Sequence, residues 1–194
     1  MNRLPRTEQA RVRQNITEMV LDRVPRMDKA AAFLFYEKDK PIQRLVHQMK
    51  YNEQPQIALQ LGRQAAIEFQ YADFFDGIDL LIPIPLHPKR ERERGFNQSE
   101  FIARGISEVT GIPVDTTHVR RVKNTPKQAL QSEKERRHNV ADAFELNHPE
   151  QLYGKHILMV DDLITTGETM RSCIKAMRRV RGATFTVFAL CKAG

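Results

Sequence analysis

Residues 157–170 read ILMVDDLITTGETM, and they carry the densest chemistry in the chain. Two adjacent carboxylates, Asp161 and Asp162, follow the apolar run Ile157–Val160 and precede Thr165, Thr166, Gly167 and Thr169. A strand that passes through a Thr/Gly turn into a helix exposes free backbone N–H groups. With threonine hydroxyls and a permissive glycine, these can converge on one phosphate. The carboxylates cannot bind that phosphate. They are placed to accept hydrogen bonds from sugar hydroxyls or to act through a divalent cation. The pattern therefore points to a ligand with both a sugar diol and a phosphate. Leu163, Ile164, Thr165, Thr166, Gly167, Glu168 and Thr169 are expected to wrap that phosphate, with the Glu168 side chain turned to solvent. The plainer alternative is an ordinary strand-to-helix turn with N-capping threonines and a surface Asp pair.

These residues need a scaffold, and the pattern predicts one. Residues 157–160 read as a buried strand, and the helix over 168–181 would bury Met170, Cys173, Ile174 and Met177. A second apolar run, DLLIPIP (79–85), suits a buried parallel strand. It leads into LHPKRERERGFNQSE, read as a loop holding Lys89, Arg90, Arg92, Arg94 and Gly95. A helix over about 97–110 follows, with Phe101, Ile102, Ile106 and Val109 on its apolar face. The basic loop is either a solvated charge cluster, since Glu91 and Glu93 interleave, or an anion-facing loop at a strand end, where α/β folds place ligands. Residues 114–122 suit an edge strand. Residues 120–138 hold seven Lys/Arg against two Glu. They read as a mobile basic flap or as a plain exposed loop entering a helix capped by Ser132 and Glu135.

Towards the N-terminus, Ile16, Met19, Val20 and Val24 suit a short helix that Pro25 ends. Residues 30–36 suit a strand. Ile42, Leu45, Val46 and Met49 form a helical stripe, with His47 and Lys50 near one another on that helix. A further helix is expected over roughly 55–71, and a last strand follows Gly182. The expected organisation is an appendage over 1–75 and an α/β domain over 76–194.

The composition is that of a folded protein, with 41% hydrophobic and 28% charged residues in 194. No apolar run approaches the ~20 residues needed to cross a bilayer. Met1 to Gln14 is polar and charged and does not read as a signal peptide. Cys173 and Cys191 show neither metal-type spacing nor a disulfide framework, so a reducing cytoplasmic setting is expected. The net charge of +7 favours anionic partners without choosing among nucleotide, nucleic acid and lipid headgroup.

The stretch 157–169 resembles the binding motif of the type I phosphoribosyltransferases, which use 5-phosphoribosyl-1-pyrophosphate (PRPP). Together with IPIPLHPKRERERGFNQSEFIAR and TPKQALQSEKERRHNVADAF, in that order, it is similar to the competence-associated ComF family, a relative of the amidophosphoribosyltransferases. IQRLVHQMKY matches the Lys-Tyr helix found ahead of that family's domain. The resemblance covers at least residues 40–191. It implies a parallel α/β sheet with helices on both faces. It also implies Mg²⁺-dependent binding of PRPP or a ribose 5-phosphate compound, with Mg²⁺ carried by the pyrophosphate. Asp161 and Asp162 would bind the ribose diol and serve the catalytic step. Residues 163–169 would hold the 5-phosphate. Arg94, Gly95, Asn97 and Gln98 would lie at the pyrophosphate, and Arg136 and Asn139 of the flap would close over it. The implied reaction is displacement of pyrophosphate at ribose C1. The rival function is binding of single-stranded DNA, tracked by residues 89–94 and 120–137, in DNA uptake with competence proteins. Two departures stand out. Family members usually begin with a four-cysteine zinc module, which this chain lacks. The family's Leu-Ser within the flap is Gln131-Ser132 here, after Leu130.

Overall fold

A computed structural model describes residues 4–51, 54–124 and 143–193. Its centre is a parallel sheet built from β1 (Met27–Tyr36), β2 (Leu80–Pro83), β5 (His156–Ile164) and β6 (Thr184–Ala193), in the order β1–β6–β5–β2. The two inner strands, β5 and β6, are the near-continuous apolar runs, as a strand covered on both faces requires. Leu80–Pro83 pair in register with Ile157–Val160, and Met159 and Val160 pair with Val187 and Phe188.

Alternation along β5 sends successive side chains to opposite faces. Leu158 and Val160 join the core beneath α2 (Pro41–Tyr51), α3 (Pro55–Phe69) and α5 (Gln98–Thr110). Ile157 and Met159 join a second core with Leu21 and Val24, just past α1 (Ile16–Val20), and with α6 (Glu168–Ala176). The expected parallel sheet with helices on both faces is present. In the first core, Phe69 sits edge-on to Phe33, Phe74 and Phe188, with ring centroids 5.0–5.9 Å apart. On that side α3 and α5 pack backbone to backbone. A methyl on Gly62 would overlap the Ile102 carbonyl, and one on Gly105 would overlap the Leu59 carbonyl.

The expected boundary at residues 75/76 falls between α3 and β2. The sheet runs across it, because β1 pairs with β6 from Met27 to Tyr36.

Several elements depart from expectation for local reasons. The expected basic loop at 89–94 is a helix, α4 (Pro88–Arg94). Pro88 occupies its first turn, His87 Nδ1 accepts from the Lys89 N–H, and Gly95, at φ 78°, ends it. The expected edge strand over 114–122 is divided. Val114 makes one parallel bridge to Leu81. Asp115 Oδ1 then accepts from the N–H groups of Thr117 and His118, turning the chain away. Beyond that turn, β3 (Val119–Arg121) pairs antiparallel with β4 (Phe144–Leu146) in a separate small ribbon. The expected 168–181 helix stops at Ala176 and tightens into a 3₁₀ turn over Met177–Arg179. Strand β5 runs four residues past Val160 because β6 continues beside it, Asp161 pairing with Ala189 and Leu163 with Cys191.

Candidate functional site

Asp161 and Asp162 lie inside β5, at its C-terminal end, rather than in the turn that follows. Being neighbours in a strand, they leave it on opposite sides. Asp161 is buried, 9% exposed. Its Oδ1 accepts from the Asp162 N–H at 2.8 Å and from Ser99 Oγ at 3.1 Å. Asp162 Oδ2 lies 2.8 Å from Lys50 Nζ, and both side chains are largely covered. Burial pushes the Asp161 carboxyl up to about 7, and the charge of Asp162 pushes the same way. The Asp162 N–H, Lys50 and Ser99 oppose the shift.

The RGFNQ element explains how Ser99 reaches the pair. The Ile84 N–H donates to the Val160 carbonyl at 2.8 Å, extending the strand pairing up to Asp161. Asn97 Nδ2 donates to the Ile84 carbonyl, and Asn97 Oδ1 caps α5 by accepting from the Ser99 N–H. Gly95 makes the turn, and Phe96 is buried edge-on to Phe101. Arg94 Nη1 donates to Gln98 Oε1 at 2.9 Å. The Gln98 Nε2 donor is buried and has no hydrogen-bond partner among the described residues. Asn97 and Gly95 thus set the course of the chain into α5. Arg94 is close enough to oppose the charge on Lys50. Arg121 of β3 lies within electrostatic reach of Asp161 and Arg90. Burial is the main cause lowering the Arg121 pKa, and its guanidinium lies over the Phe144 ring. Cationic side chains from α2 and β3 therefore lie within electrostatic reach of the acidic pair, with Arg94 of α4 near Lys50.

The loop between β5 and α6 is short. Leu163 and Ile164 belong to the strand, Thr165 and Thr166 are exposed, and Gly167 stands at φ 75° in the N-cap position of α6. Its N-cap residue, a glycine, offers no side-chain cap. Its first amides, those of Glu168, Thr169 and Met170, have no intrahelical partner by position, and Thr169 adds a hydroxyl there. This is the helix N-terminus expected from sequence, beginning at Glu168, six residues after Asp162. The Glu168 carboxylate is not turned simply to solvent. Its Oε1 accepts from Arg171 Nη2 at 2.6 Å, which draws its charge towards a guanidinium. Arg136 and Asn139 lie outside the described residues.

Lys50 and Ser99 were not among the expected site residues. Lys50 was legible. It follows Ile42 and Val46 at intervals of four, so the buried stripe of α2 carries it inward. Ser99 had no comparable signal, because its role depends on where Asn97 docks.

Among the described residues no group of three or more His, Cys, Asp or Glu side chains is arranged to hold a metal ion. One oxygen of each carboxylate is already engaged. The donor set therefore fits a Mg²⁺ ion carried largely by ligand oxygens and water, with at most a minor share from the protein. No helix among the described residues is long and apolar enough to cross a membrane.

Residues 47–194 match the family model described as "Phosphoribosyl transferase domain". The chain is 34% identical over 155 residues to the "DNA utilization protein YhgH" of Escherichia coli O157:H7, covering 78% of this chain and 67% of that protein. It is 30% identical over 177 residues to "Competence protein F" of Haemophilus influenzae, covering 89% and 76% respectively. A solved structure described as the allosteric regulatory enzyme of purine biosynthesis aligns with a TM-score of 0.41 at 21% identity, over 67% of this chain and 25% of that one. With the motif order, the sheet and the domain match in agreement, the chain belongs to the phosphoribosyl transferase domain family, among the ComF-type proteins that include competence protein F.

Proposed function

We propose that the protein binds PRPP, or a nucleotide-like ribose 5-phosphate compound, at the C-terminal edge of the sheet. The observation that carries this reading is the sequence of parts along one element. Two carboxylates stand near the C-terminal end of β5, Leu163 and Ile164 close the strand, a three-residue loop follows, and the N-terminus of α6 comes next with Gly167 as its N-cap. In this reading the amides of 167–169 and the Thr165, Thr166 and Thr169 hydroxyls hold the 5-phosphate. Asp161 and Asp162 accept from the ribose hydroxyls, and Arg94, Arg121 and Gln98 face pyrophosphate. Arg136 and Asn139 would complete the pyrophosphate end. Mg²⁺ bound with the ligand would neutralise pyrophosphate oxygens.

If a nucleophile enters, the reaction is displacement at ribose C1. The C1–O bond to pyrophosphate breaks as the bond to the nucleophile forms, and both electrons of the broken bond leave with pyrophosphate. The arginines stabilise that departing charge. The diol contacts hold the ring while C1 carries oxocarbenium character. The work is done in a cytoplasmic setting. Calorimetry with PRPP and Mg²⁺ tests the reading. Saturable, Mg²⁺-dependent heat is expected, and its absence at millimolar ligand contradicts it.

The second reading is single-stranded DNA binding in DNA uptake with competence proteins. The net charge of +7 and the names of the two relatives favour it. An oligonucleotide titrated beside PRPP should bind with log K falling by about 0.7 per phosphate neutralised as log salt rises. Changing Arg120, Arg121, Lys123 and Lys127 to Ala should flatten that slope. An unchanged slope places the DNA elsewhere.

A further inference from the structure

The Lys50 ammonium is the least expected group in the site, because burying a charge is unfavourable unless it is paired. Its side chain is 9% exposed, and Nζ lies 2.8 Å from Asp162 Oδ2. Burial pulls the Lys50 pKa down. The charge and hydrogen bond of Asp162, with the charge of Asp161, outweigh that effect and leave it above the ordinary lysine value. The group is therefore a permanent cation. It enters on α2, not on any element of the phosphate loop.

The position matters for metal dependence. A divalent ion approaching Asp162 from the Lys50 side would have to displace Nζ. Approaching from the other side, it would be repelled by Lys50 and by nearby Arg94. A ribose hydroxyl meets no such obstacle. It can donate to the carboxylate and accept from the ammonium at the same time.

We infer that Lys50 supplies the cation of the acidic pair, so that a ribose 5-phosphate group binds here without a divalent metal. Metal dependence then enters only with the pyrophosphate of a larger ligand. The inference rests on the phosphoribosyl reading above, and it departs from the expectation that any ribose 5-phosphate compound would need Mg²⁺.

The test is calorimetry of ribose 5-phosphate into the full chain, once with EDTA and once with Mg²⁺. Wild-type protein should bind equally well in both. Lys50→Met should bind about tenfold to a hundredfold more weakly with EDTA. Mg²⁺ should restore much of that loss, a rescue that a merely structural role for Lys50 would not produce. Lys50→Arg should remain independent of metal, and it serves if Lys50→Met fails to fold. Wild-type binding that requires Mg²⁺ overturns the inference and leaves the phosphoribosyl reading intact. So does a folded Lys50→Met variant that binds like wild type with EDTA, or one that Mg²⁺ does not rescue. No binding by wild type under either condition overturns the reading itself.

Discussion

The guanidinium of Arg171, in the first turn of α6, donates to the backbone carbonyl of Val20, the last residue of α1, at 2.5 Å. The same guanidinium donates to the Thr166 carbonyl and to Glu168. Behind it, a methyl on Gly167 would come within 2.7 Å of Leu21 Cδ2. The candidate phosphate loop is thus fastened from behind to the N-terminal part of the chain.

Arg171→Gln should loosen that fastening without touching a ligand. Loss of hydrogen bonds from a charged donor is expected to cost about 1–3 kcal/mol. The effect should appear as faster amide exchange over 165–169 and roughly tenfold weaker binding of ribose 5-phosphate. Unchanged exchange in this segment would show that Arg171 does not hold the loop.

The two carboxylates should behave differently when replaced one at a time. Asp161→Asn removes a charge that burial already disfavours, so thermal stability should be kept or increased. Asp162→Asn leaves the buried Lys50 without its partner and should destabilise by about 3–5 kcal/mol. Each should weaken binding of a ribose ligand by about 1.5–3 kcal/mol, or about 3–6 kcal/mol together where the double variant folds. Thermal melts and calorimetry on the same samples separate the two effects. Equal melting shifts for the two single variants would contradict the geometry.

Asp161 also sets a pH dependence. Its folded pKa is raised to about 7 from 3.8 by burial and then by Asp162, so the native state retains a proton that the unfolded chain has released. Between those limits its contribution to stability falls as pH rises. Affinity for a diol should move the other way, because the ionised carboxylate is the form that accepts two hydroxyl donors. Binding of ribose 5-phosphate should strengthen through about pH 7. Lys50 and Arg121 remain charged over this range, and burial holds the nearby Cys173 thiol protonated. The phosphate's own ionisation near about pH 6 acts in every variant. The diagnostic quantity is therefore the difference between wild type and Asp161→Asn, which should vanish below about pH 5. A difference independent of pH would remove Asp161 from the titration.

Gly62→Ala and Gly105→Ala test the support beneath the site. On an exposed helix such changes stabilise by up to about 1 kcal/mol. Here a new methyl would meet the backbone of the facing helix, so each should destabilise by about 1–3 kcal/mol in urea titrations. Displacement of α5 would also carry Ser99 away from Asp161, and ribose 5-phosphate affinity should fall with stability. Neutral variants would mean that α3 and α5 can separate without cost.

Much of this arrangement was legible in the sequence because its signals are local. The apolar runs of β5 and β6 and the Thr/Gly turn each declare themselves within a few residues. The helical character of 88–94 was also locally encoded, by Pro88 and Gly95, but the density of charge obscured it. What could not be read depends on packing between distant segments. Nothing in 157–169 indicates that Arg171 reaches Val20, or that Ser99 returns to Asp161. The turn at Asp115 that takes Val119–Arg121 out of the sheet is visible as a turn. Its consequence, placing Arg121 within reach of Asp161, is not.

The central claim is that one phosphate and one diol are held side by side at the end of β5. A crystal structure of the protein with ribose 5-phosphate tests it most directly. The phosphate is expected at the N-terminus of α6, with two or more amides of residues 167–169 at about 2.7–3.2 Å from its oxygens. Both ribose hydroxyls should lie within the same distance of Asp161 and Asp162 oxygens. A well-ordered 163–169 loop whose amides turn away from any common centre, with the ligand absent or bound elsewhere at saturating concentration, would contradict the account.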